Sequence, residues 1–496
     1  MLDELRRHID AGGSLLAVLE RGDASLTELT GVRVDEMLPR SEWFVTLPLR
    51  AEASRLDREI PVTSALHVLA PIASDVEVVA TTSHGFRERP VLAVRTVGPG
   101  RVLSVGVTDL DALLTDPTLA RYVHRLLSPP RRSSRPLGVA VVGYGPFGGM
   151  GYMHGRAATD TDGLAFVAAV DPVPERRTVA AVEFEGLRTY ATADDLIAAA
   201  ATDAAFDIAI VATPPVHHAG LAIALLEAGK HVVVEKPMCL TVADADLMLA
   251  AAAANDRVLT VHQSRRWDTD FLSLTRAVDR GLVGDVFNIE TFVGGFEHPC
   301  RAWHSEESVS GGAVYDWGSH HIDWILRLYG TPPSRVTTTS HKRVWHDVTN
   351  ADQVTVWMQW SDGREAVFRQ SDVAAVRRPK FYVQGTCGTI EGHYRPLRFE
   401  AVEPAVGFVS RSAHYAEAPV DLRLVRYESG YGLTDQSLPP VAAQGWGFHR
   451  NLADHLLLGE PLAVPPQQSR AVVAVLEAAQ RAGAEGSACV DLEGAE

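Results

Sequence analysis

Residues 310–323 carry two carboxylates and a histidine at helical spacing. If this segment is helical, Asp316, His320 and Asp323 occupy positions i, i+4 and i+7 and share one face. A carboxylate beside an imidazole fixes its tautomer and raises its basicity, which suits a general base for an alcohol proton. An amphipathic helix with a hydrogen-bonded core histidine is the alternative, and the spacing alone leaves both open. No further ligand at a telling spacing supports a His/Asp metal site, so we predict no metal.

Lys236 is a second candidate because lysine is rare in this chain. Only four of the 46 basic residues are lysines, at positions 230, 236, 342 and 380. An ammonium group, unlike a guanidinium group, can have its pKa lowered by burial and can donate and recover a proton. Lys236 lies in Glu235-Lys236-Pro237, directly after a predicted strand. It therefore lies at the sheet edge where open α/β folds bind ligands.

A glycine-rich turn lies between a predicted strand and a predicted helix, at residues 143–151. Gly143 permits the tight turn, and Gly145 lets the backbone approach a pyrophosphate at the helix N-terminus. The third glycine of the pattern is Gly148 or Gly151. The alternative is a glycine-rich loop with no ligand, but the strand–turn–helix context favours a dinucleotide site.

Asp171 ends the next predicted strand and is the candidate for contacting the adenosine ribose. It lies 28 residues after Gly143, somewhat beyond the spacing of about 20 that is usual. A carboxylate here favours NAD because it repels a 2′-phosphate, whereas Arg176 and Arg177 soften that preference. The alternative is a solvated aspartate at a strand end.

The helices and strands that must position these residues fall into three predicted domains. A length of 496 residues, at about 150 residues per domain, predicts the same number. Residues 137–262 alternate strands and helices, which predicts a Rossmann doubly wound parallel sheet. Residues 263–496 show period-2 runs, a helix at about 316–328 and a terminal helix at 469–482, which predict an α+β domain with a large, mostly antiparallel sheet. Residues 1–128 alternate strands and helices, and the proline-rich residues 129–136 are predicted to be a linker.

The composition excludes several classes of partner. A net charge of −16 without a basic run argues against nucleic acid and anionic lipid. No apolar stretch approaches the roughly 18 residues that would span a bilayer, and the N-terminus is charged at once. The four cysteines are scattered without a CxxC pair, which predicts reduced thiols. We expect a cytoplasmic protein.

From residue 137 to about 492 the chain resembles the Gfo/Idh/MocA oxidoreductases, the family of glucose-fructose oxidoreductase and inositol dehydrogenase. The matching pieces are the glycine turn, Thr213-Pro214-Pro215 with His218, Glu235-Lys236-Pro237 and Gly311-Gly312…Asp316-x-Gly318-x-His320. The resemblance implies NAD as cofactor, with NADP as the alternative, a carbohydrate-like substrate and a homo-oligomer, either a dimer or a tetramer.

The resemblance also implies roles for individual residues. The catalytic positions are Lys236, Asp316 and His320. The cofactor-binding positions are Gly143, Gly145, Phe147, Gly148, Gly151, Asp171, Thr213, Pro214, His218, Glu235 and Lys236. Residues 263–268 resemble a stretch near the nicotinamide and substrate, and the substrate-binding candidates are Arg266, Trp267, His304 and Trp317. Aromatic faces pack on sugar C–H groups, although a core role is as common for these tryptophans.

Residues 1–128 are extra to that family and resemble the later part of a ThuA-like domain, a relative of class I glutamine amidotransferases. This resemblance rests on residues 12–16, 89–95 and 98–106, and it implies a partial flavodoxin-like α/β domain. An amidotransferase needs a cysteine nucleophile, and the first cysteine of the chain is Cys239. We therefore predict a structural or regulatory module without catalytic activity.

The leading hypothesis is hydride transfer between NAD(P) and a secondary hydroxyl or ketone of a sugar, cyclitol or related polyol. His320, oriented by Asp316, would remove the hydroxyl proton, and Lys236 would stabilise the oxygen. One alternative is redox-neutral glycoside cleavage by transient oxidation and elimination. Another is a non-catalytic protein that senses a cofactor or a sugar.

Overall fold

The computed structural model describes residues 2–22, 24–47, 59–84, 87–127, 135–146, 149–202, 206–300, 302–395, 397–403, 407–413, 419–439, 441, 443 and 445–492. The chain divides into two compact units, Met1–Ser133 and Ser134–Glu496. Most of the predicted linker, residues 129–134, lies outside the described residues. Among the helices of the described residues, none combines the length and the apolar character that crossing a membrane requires.

The first unit is built around one six-stranded sheet with strand order β1-β6-β5-β4-β2-β3. Its elements are α1 (Leu2–Asp10), β1 (Ser14–Val18), α2 (Ala24–Thr30), β2 (Val32–Thr46), β3 (Glu59–Pro71), β4 (Val76–His84), β5 (Arg87–Val97), β6 (Gly100–Val105), α3 (Leu110–Thr115) and α4 (Pro117–Leu127). Its core consists mainly of valine and leucine side chains from the strands and from α3 and α4.

This sheet differs from the flavodoxin-like arrangement that the sequence suggested. Only the β1–β6 pair is parallel, whereas β2–β3, β2–β4, β4–β5 and β5–β6 are antiparallel. The physical reason is the short connections, since strands joined by a few residues must run antiparallel and a parallel pair needs a long crossover. The tight turn at Gly98-Pro99 joins β5 to β6 in this way.

The first half of the second unit is a six-stranded parallel sheet with order β12-β11-β10-β7-β8-β9, as predicted for a Rossmann domain. Its elements are β7 (Leu137–Val142), α5 (Met150–Asp160), β8 (Leu164–Val170), α6 (Pro174–Glu183), β9 (Arg188–Tyr190), α7 (Ala193–Thr202), β10 (Ile208–Val211), α8 (His218–Glu227), β11 (His231–Val234), α9 (Val242–Ala254) and β12 (Leu259–Val261). The central strands β7, β10 and β11 are almost entirely buried and apolar, as expected of a sheet covered on both faces.

The second half is built on a nine-stranded mixed sheet with order β22-β21-β18-β17-β13-β16-β15-β14-β23. Only β13 and β16 pair in parallel. The elements are α10 (Thr269–Asp279), β13 (Val286–Gly294), α11 (Glu307–Ser310), α12 (Ala313–Asp316), α13 (Gly318–Tyr329), β14 (Arg335–His341), β15 (Gln353–Gln359), β16 (Glu365–Ser371), β17 (Phe381–Gly385), β18 (Gly388–His393), β19 (Leu397–Glu403), β20 (Gly407–Ala413), β21 (Asp421–Glu428), β22 (Gly432–Ser437), α14 (Gly447–Leu458), α15 (Pro466–Ala484) and β23 (Cys489–Asp491). Together the two halves confirm the predicted Rossmann sheet and the large, mostly antiparallel second sheet.

The helix predicted over about 316–328 is in fact two helices. The short α12 ends at Asp316, and α13 begins at Gly318 after a single residue, Trp317. Trp317 itself keeps right-handed helical dihedral angles, and its carbonyl oxygen accepts from the N–H groups of His320 and His321.

Candidate active site

The glycine-rich turn between β7 and α5 is packed too tightly for side chains at Gly143, Gly149 and Gly151. Gly143 has φ +92°, and a Cβ atom there would lie 2.8 Å from the Ala212 carbonyl oxygen. A Cβ atom at Gly151 would lie 2.1 Å from the Tyr144 carbonyl oxygen. By contrast, a Cβ at Gly145 would meet no atom within 4 Å, so the turn is open on that side. Phe147 and Gly148 lie outside the described residues.

Asp171 braces this turn from the end of β8. Its buried carboxylate accepts hydrogen bonds from the backbone N–H of Gly145 at 2.8 Å and of Val173 at 2.9 Å. The half-exposed Arg176 guanidinium lies 3.6 Å from the same carboxylate. Arg177 donates to the Asp171 main-chain oxygen at 2.6 Å. Asp171, the predicted ribose-binding residue, is thus already hydrogen-bonded to the turn, and the Arg176 guanidinium lies next to its carboxylate.

A cleft lies at the carboxyl edge of the parallel sheet, the edge where open α/β folds bind ligands. Both halves of the second unit contribute to its walls: Met150, Ala212, Thr213, Pro215, Glu235, Lys236, Pro237, Trp303, His304, Ser310 and Asp316. Two buried polar atoms of these walls, Thr213 Oγ1 and His304 Nδ1, have no hydrogen-bond partner among the described residues. Buried polar atoms are normally paired, so these two mark places for ligand contacts.

Lys236 and Asp316 form an ion pair in this cleft. The Lys236 ammonium donates to Asp316 Oδ1 at 2.7 Å and to the Asp316 main-chain oxygen at 3.3 Å. Burial alone would raise the pKa of Asp316, but the ammonium group outweighs burial and lowers it. The pair therefore holds its charges within reach of a ligand.

His320 has a different partner from the one the sequence predicted. Its Nδ1 lies 3.2 Å from the side-chain oxygen of Gln263, and no hydrogen bond between His320 and Asp316 is formed in the described part of the chain. The expected i, i+4 pair is wrong because the Asp316 carboxylate is bound to the Lys236 ammonium instead of the imidazole. Burial, with the charges of Lys236 and Arg265, holds the pKa of His320 well below its usual range. The imidazole is therefore neutral at pH 7.

Two of the predicted substrate residues pack into the protein interior instead of lining the cleft. Arg266 forms a buried bidentate ion pair with Asp323 at 2.5 and 2.8 Å. Trp267 packs edge-on against Phe448, with ring centroids 6.0 Å apart. Both side chains thus have structural partners, as does Asp323, the third residue of the predicted helix face.

The other two substrate candidates lie nearer to the cleft. His304 lines it, and the ring of Trp303 stacks on His304 with centroids 3.7 Å apart. Burial lowers the pKa of His304, with Asp316 and Lys236 acting in opposite directions. The half-buried Trp317 carries the Arg265 guanidinium over its ring at 4.9 Å.

His218 links two of the loops that line the cleft. Its ring is buried, with Nδ1 2.9 Å from the Pro237 carbonyl oxygen and Nε2 2.7 Å from the Thr213 carbonyl oxygen. It therefore holds the loop of Thr213 and Pro214 against the loop of Lys236. Burial lowers the pKa of His218.

Glu235 anchors a cluster of histidines that sequence reasoning missed. Its Oε1 accepts from His154 Nε2 at 2.8 Å and from His262 Nδ1 at 2.6 Å, and His449 Nε2 lies 3.0 Å from His154 Nδ1. Burial would raise the pKa of Glu235, but His262 and His154 hold it well below its usual range. The histidines come from α5, the residue after β12, and α14, so no local spacing marks them.

The chain matches known domain families over both halves of the second unit. Residues 137–263 match the oxidoreductase family with the NAD-binding Rossmann fold, and residues 271–391 match the GFO/IDH/MocA C-terminal domain. No such match supports the predicted ThuA-like resemblance of the first unit.

Individual proteins that the chain resembles are also named as dehydrogenases or as NAD-binding proteins. The chain is 27% identical over 291 residues to the scyllo-inositol 2-dehydrogenase (NADP(+)) IolW of Bacillus subtilis, covering 57% of this chain and 78% of IolW. It is 26% identical over 305 residues to the inositol 2-dehydrogenase of Rhizobium meliloti, and this match covers 60% of this chain and 87% of that enzyme. The structure of an NAD-binding protein from Listeria innocua is 27% identical, with a TM-score of 0.60, and covers 72% of this chain and 97% of that protein. With both domains matched in order, the chain belongs to the GFO/IDH/MocA family of NAD(P)-binding oxidoreductases.

Proposed function

We propose that the chain transfers hydride between NAD(P) and a secondary hydroxyl or ketone of a sugar, cyclitol or related polyol. The observation that carries this proposal is the Lys236–Asp316 ion pair in a cleft whose walls also hold two unpartnered polar atoms, on Thr213 and His304. Two relatives are named as inositol 2-dehydrogenases, which supports a cyclitol-like substrate.

The residues around the glycine turn fit a dinucleotide. The turn is open at Gly145, and α5 begins without a side-chain cap, so its first N–H groups face a position suited to phosphate. Thr213 Oγ1 offers an unpaired polar contact further along the cleft. We assign cofactor binding to Gly143, Gly145, Phe147, Gly148, Gly151, Asp171, Thr213, Pro214, His218, Glu235 and Lys236. The nicotinamide, when bound, exchanges hydride with the carbinol carbon.

The chain's own groups handle the proton and the oxygen. The Lys236 ammonium, held by Asp316, donates a hydrogen bond to the reacting oxygen and stabilises its negative charge. His320 is neutral, so its ring can accept the hydroxyl proton as the O–H bond breaks. Asp316 is a positioning residue for Lys236 and not for His320.

The substrate side of the cleft includes His304 and Trp303, and we keep Trp317, which is not among the residues that line the cleft, as a further candidate for substrate contact. His304 Nδ1 is free to hydrogen-bond a sugar hydroxyl, and the stacked ring of Trp303 offers an apolar surface for C–H groups. Arg266 and Trp267 support this region from the interior.

The test is a spectrophotometric screen of the purified protein with NAD and NADP separately, against sugars, cyclitols and glycosides. We expect net reduction of the nucleotide with one stereochemical set of polyols. His320→Ala should lower kcat by about 10²- to 10⁴-fold, typical of a lost general base, with cofactor Kd unchanged. The control is His393→Ala, because His393 is an exposed residue at the end of β18.

Three outcomes would contradict this proposal. Full turnover by the His320→Ala protein would remove His320 from its role. Release of an aglycone from glycosides without accumulation of reduced nucleotide would instead indicate redox-neutral cleavage, and cofactor binding without any turnover would indicate a sensor.

We also propose a cytoplasmic homo-oligomer, a dimer or a tetramer, with the first unit as a non-catalytic module. All four cysteines are free thiols, which fits a reducing compartment. Exposed aromatic and aliphatic side chains on the nine-stranded sheet, including Trp357, Tyr427 and Leu433, fit a protein interface. The first unit has no cysteine to act as an amidotransferase nucleophile, which supports a non-catalytic role.

A further inference from the structure

Three buried histidines come together behind the cleft, on elements that are far apart in the chain. His154 lies on α5, His262 follows β12, and His449 lies near the start of α14. Each of the three rings has one nitrogen atom that lies within 4.8 Å of the corresponding nitrogen atoms of the other two rings. The ring centroids are 4.5, 5.2 and 5.3 Å apart. Three imidazole rings therefore surround one small volume of the interior.

The spacing of these rings suits a transition-metal ion. Tetrahedral zinc, with Zn–N bonds of about 2.0–2.1 Å, places its ligand nitrogens roughly 3.3 Å apart. The His154 Nδ1 to His449 Nε2 distance is 3.0 Å, so these two atoms are already close to that separation. Since one nitrogen of each ring lies within 4.8 Å of the others, the set has to contract by at most about 1.5 Å to reach the separation that zinc requires.

Glu235 supplies the outer contacts that such a site requires. Histidines that bind metals generally donate their other ring N–H to a carboxylate, which fixes the tautomer. Glu235 Oε1 accepts from His154 Nε2 and from His262 Nδ1. These two bonds leave His154 Nδ1 and His262 Nε2 as the nitrogens that can carry a lone pair toward an ion.

We propose that His154, His262 and His449 bind one divalent transition-metal ion of the zinc class, with Glu235 orienting two of the ligands. Neutral imidazole favours zinc, cobalt and nickel over the oxygen-preferring calcium and magnesium. The ion would tie α5, the end of β12 and α14 together, and would fix the Glu235 carboxylate, whose Oε2 accepts from the Lys236 backbone N–H at 3.1 Å. This inference is independent of the proposed hydride transfer.

The test uses the full chain, with any affinity tag removed because polyhistidine binds the same ions. The protein is produced with added cobalt or zinc, dialysed, and analysed for metal content and for the visible absorption of tetrahedral cobalt. We expect about one ion per chain and a tetrahedral cobalt spectrum, consistent with a three-histidine site.

The variant His449→Gln removes one ligand and should lower the bound metal by about tenfold or more. His393→Gln, on the exposed end of β18, is the matched control and should keep the wild-type stoichiometry. A circular dichroism melt shows whether each variant is folded. If His449→Gln does not fold, X-ray absorption on the zinc-loaded wild type decides, with three nitrogen ligands expected.

Three results would overturn the proposal. A folded wild type that takes up neither cobalt nor zinc would show that the rings form only a hydrogen-bonded network around Glu235. An unchanged stoichiometry and spectrum in folded His449→Gln would place the ion elsewhere. An X-ray absorption spectrum dominated by oxygen ligands would also place the ion elsewhere.

Discussion

Arg176 is the residue that we expect to set the choice between NAD and NADP. The Asp171 carboxylate alone would repel a 2′-phosphate, but it is committed to the glycine turn, and the Arg176 guanidinium lies 3.6 Å from it. That guanidinium is about 41% exposed, so it can reach a phosphate outside the protein. We expect Arg176→Ala to weaken NADP binding by about tenfold, the size of one charge-assisted contact, and NAD binding less than about twofold. Fluorescence titration with NADPH and NADH measures both constants.

The control for this experiment is Arg176→Lys, which keeps the positive charge and should retain most of the NADP affinity. An equal loss for both nucleotides in Arg176→Ala would mean that Arg176 only braces the turn through Asp171. In that case the selectivity would have to be assigned to another residue.

The sequence predicted the place of a functional residue where that residue directly follows a strand or lies in a turn. The glycines, Thr213 and Lys236 follow strand ends, and the parallel sheet brings those ends to one edge. The partner of Asp316 was not predictable from helical spacing, because its carboxylate binds Lys236, which lies 80 residues earlier in the chain. The histidines around Glu235 were missed because their contacts span up to 295 residues.

Among the secondary-structure elements, a buried ion pair ties α13 to the short 3-10 turn Ser264–Trp267. Arg266 donates to Asp323 and also to the Ala463 carbonyl oxygen at 2.6 Å and Gln468 Oε1 at 2.8 Å. Arg266→Met would leave the Asp323 carboxylate buried without a cation. We expect the free energy of unfolding to fall by about 3–5 kcal/mol, measured by urea denaturation.

The double variant Arg266→Met with Asp323→Leu provides the control. Removing both charges abolishes the uncompensated carboxylate, so much of the lost stability should return. If the double variant is as unstable as the single one, the hydrogen bonds from Arg266 to Ala463 and Gln468 matter more than the ion pair. A loss below about 1 kcal/mol in the single variant, the range of exposed pairs, would contradict the buried pairing.

Most strands of the Rossmann half followed from hydrophobic patterning, because they are short, largely apolar runs between helices. The exception is β9, whose sequence Arg-Thr-Tyr has no apolar run and was not predicted. The first unit was harder to predict. Its long strands β2 and β3 pair in a hairpin with two register shifts, and the sequence analysis identified neither strand. Few residues of β2 are buried, so this strand lacks the continuous buried apolar run that marks the parallel strands.

For the molecule as a whole, buried neutral histidines predict a loss of stability in mild acid. Burial lowers the pKa of His218, and it holds the pKa of His320 and His321 well below the usual range near 6.5. As the pH falls below about 6.5, the unfolded chain therefore binds protons that the folded chain does not. Each such histidine should lower the free energy of unfolding by up to about 1.4 kcal/mol per pH unit, and the effect should vanish above pH 7.

His321 allows this prediction to be tested with one substitution. Its ring is fully buried against Trp324 and Phe368, and neither ring nitrogen has a hydrogen-bond partner among the described residues. His321→Phe keeps an aromatic ring while removing two unsatisfied polar atoms and one titrating group. It should raise the free energy of unfolding at pH 7 by about 1 kcal/mol and reduce its decline between pH 6.5 and 5.5.

Urea unfolding at several pH values, followed by tryptophan fluorescence, measures both effects on the second unit, because Trp43 is the one tryptophan of nine that lies before residue 134. His393→Phe makes the same change at an exposed histidine and serves as the matched control. A His321→Phe protein with the wild-type decline in acid would mean that His321 takes up its proton in the folded state. A buried imidazolium without a partner would be costly, so such a result would require water or an acidic group to reach the ring.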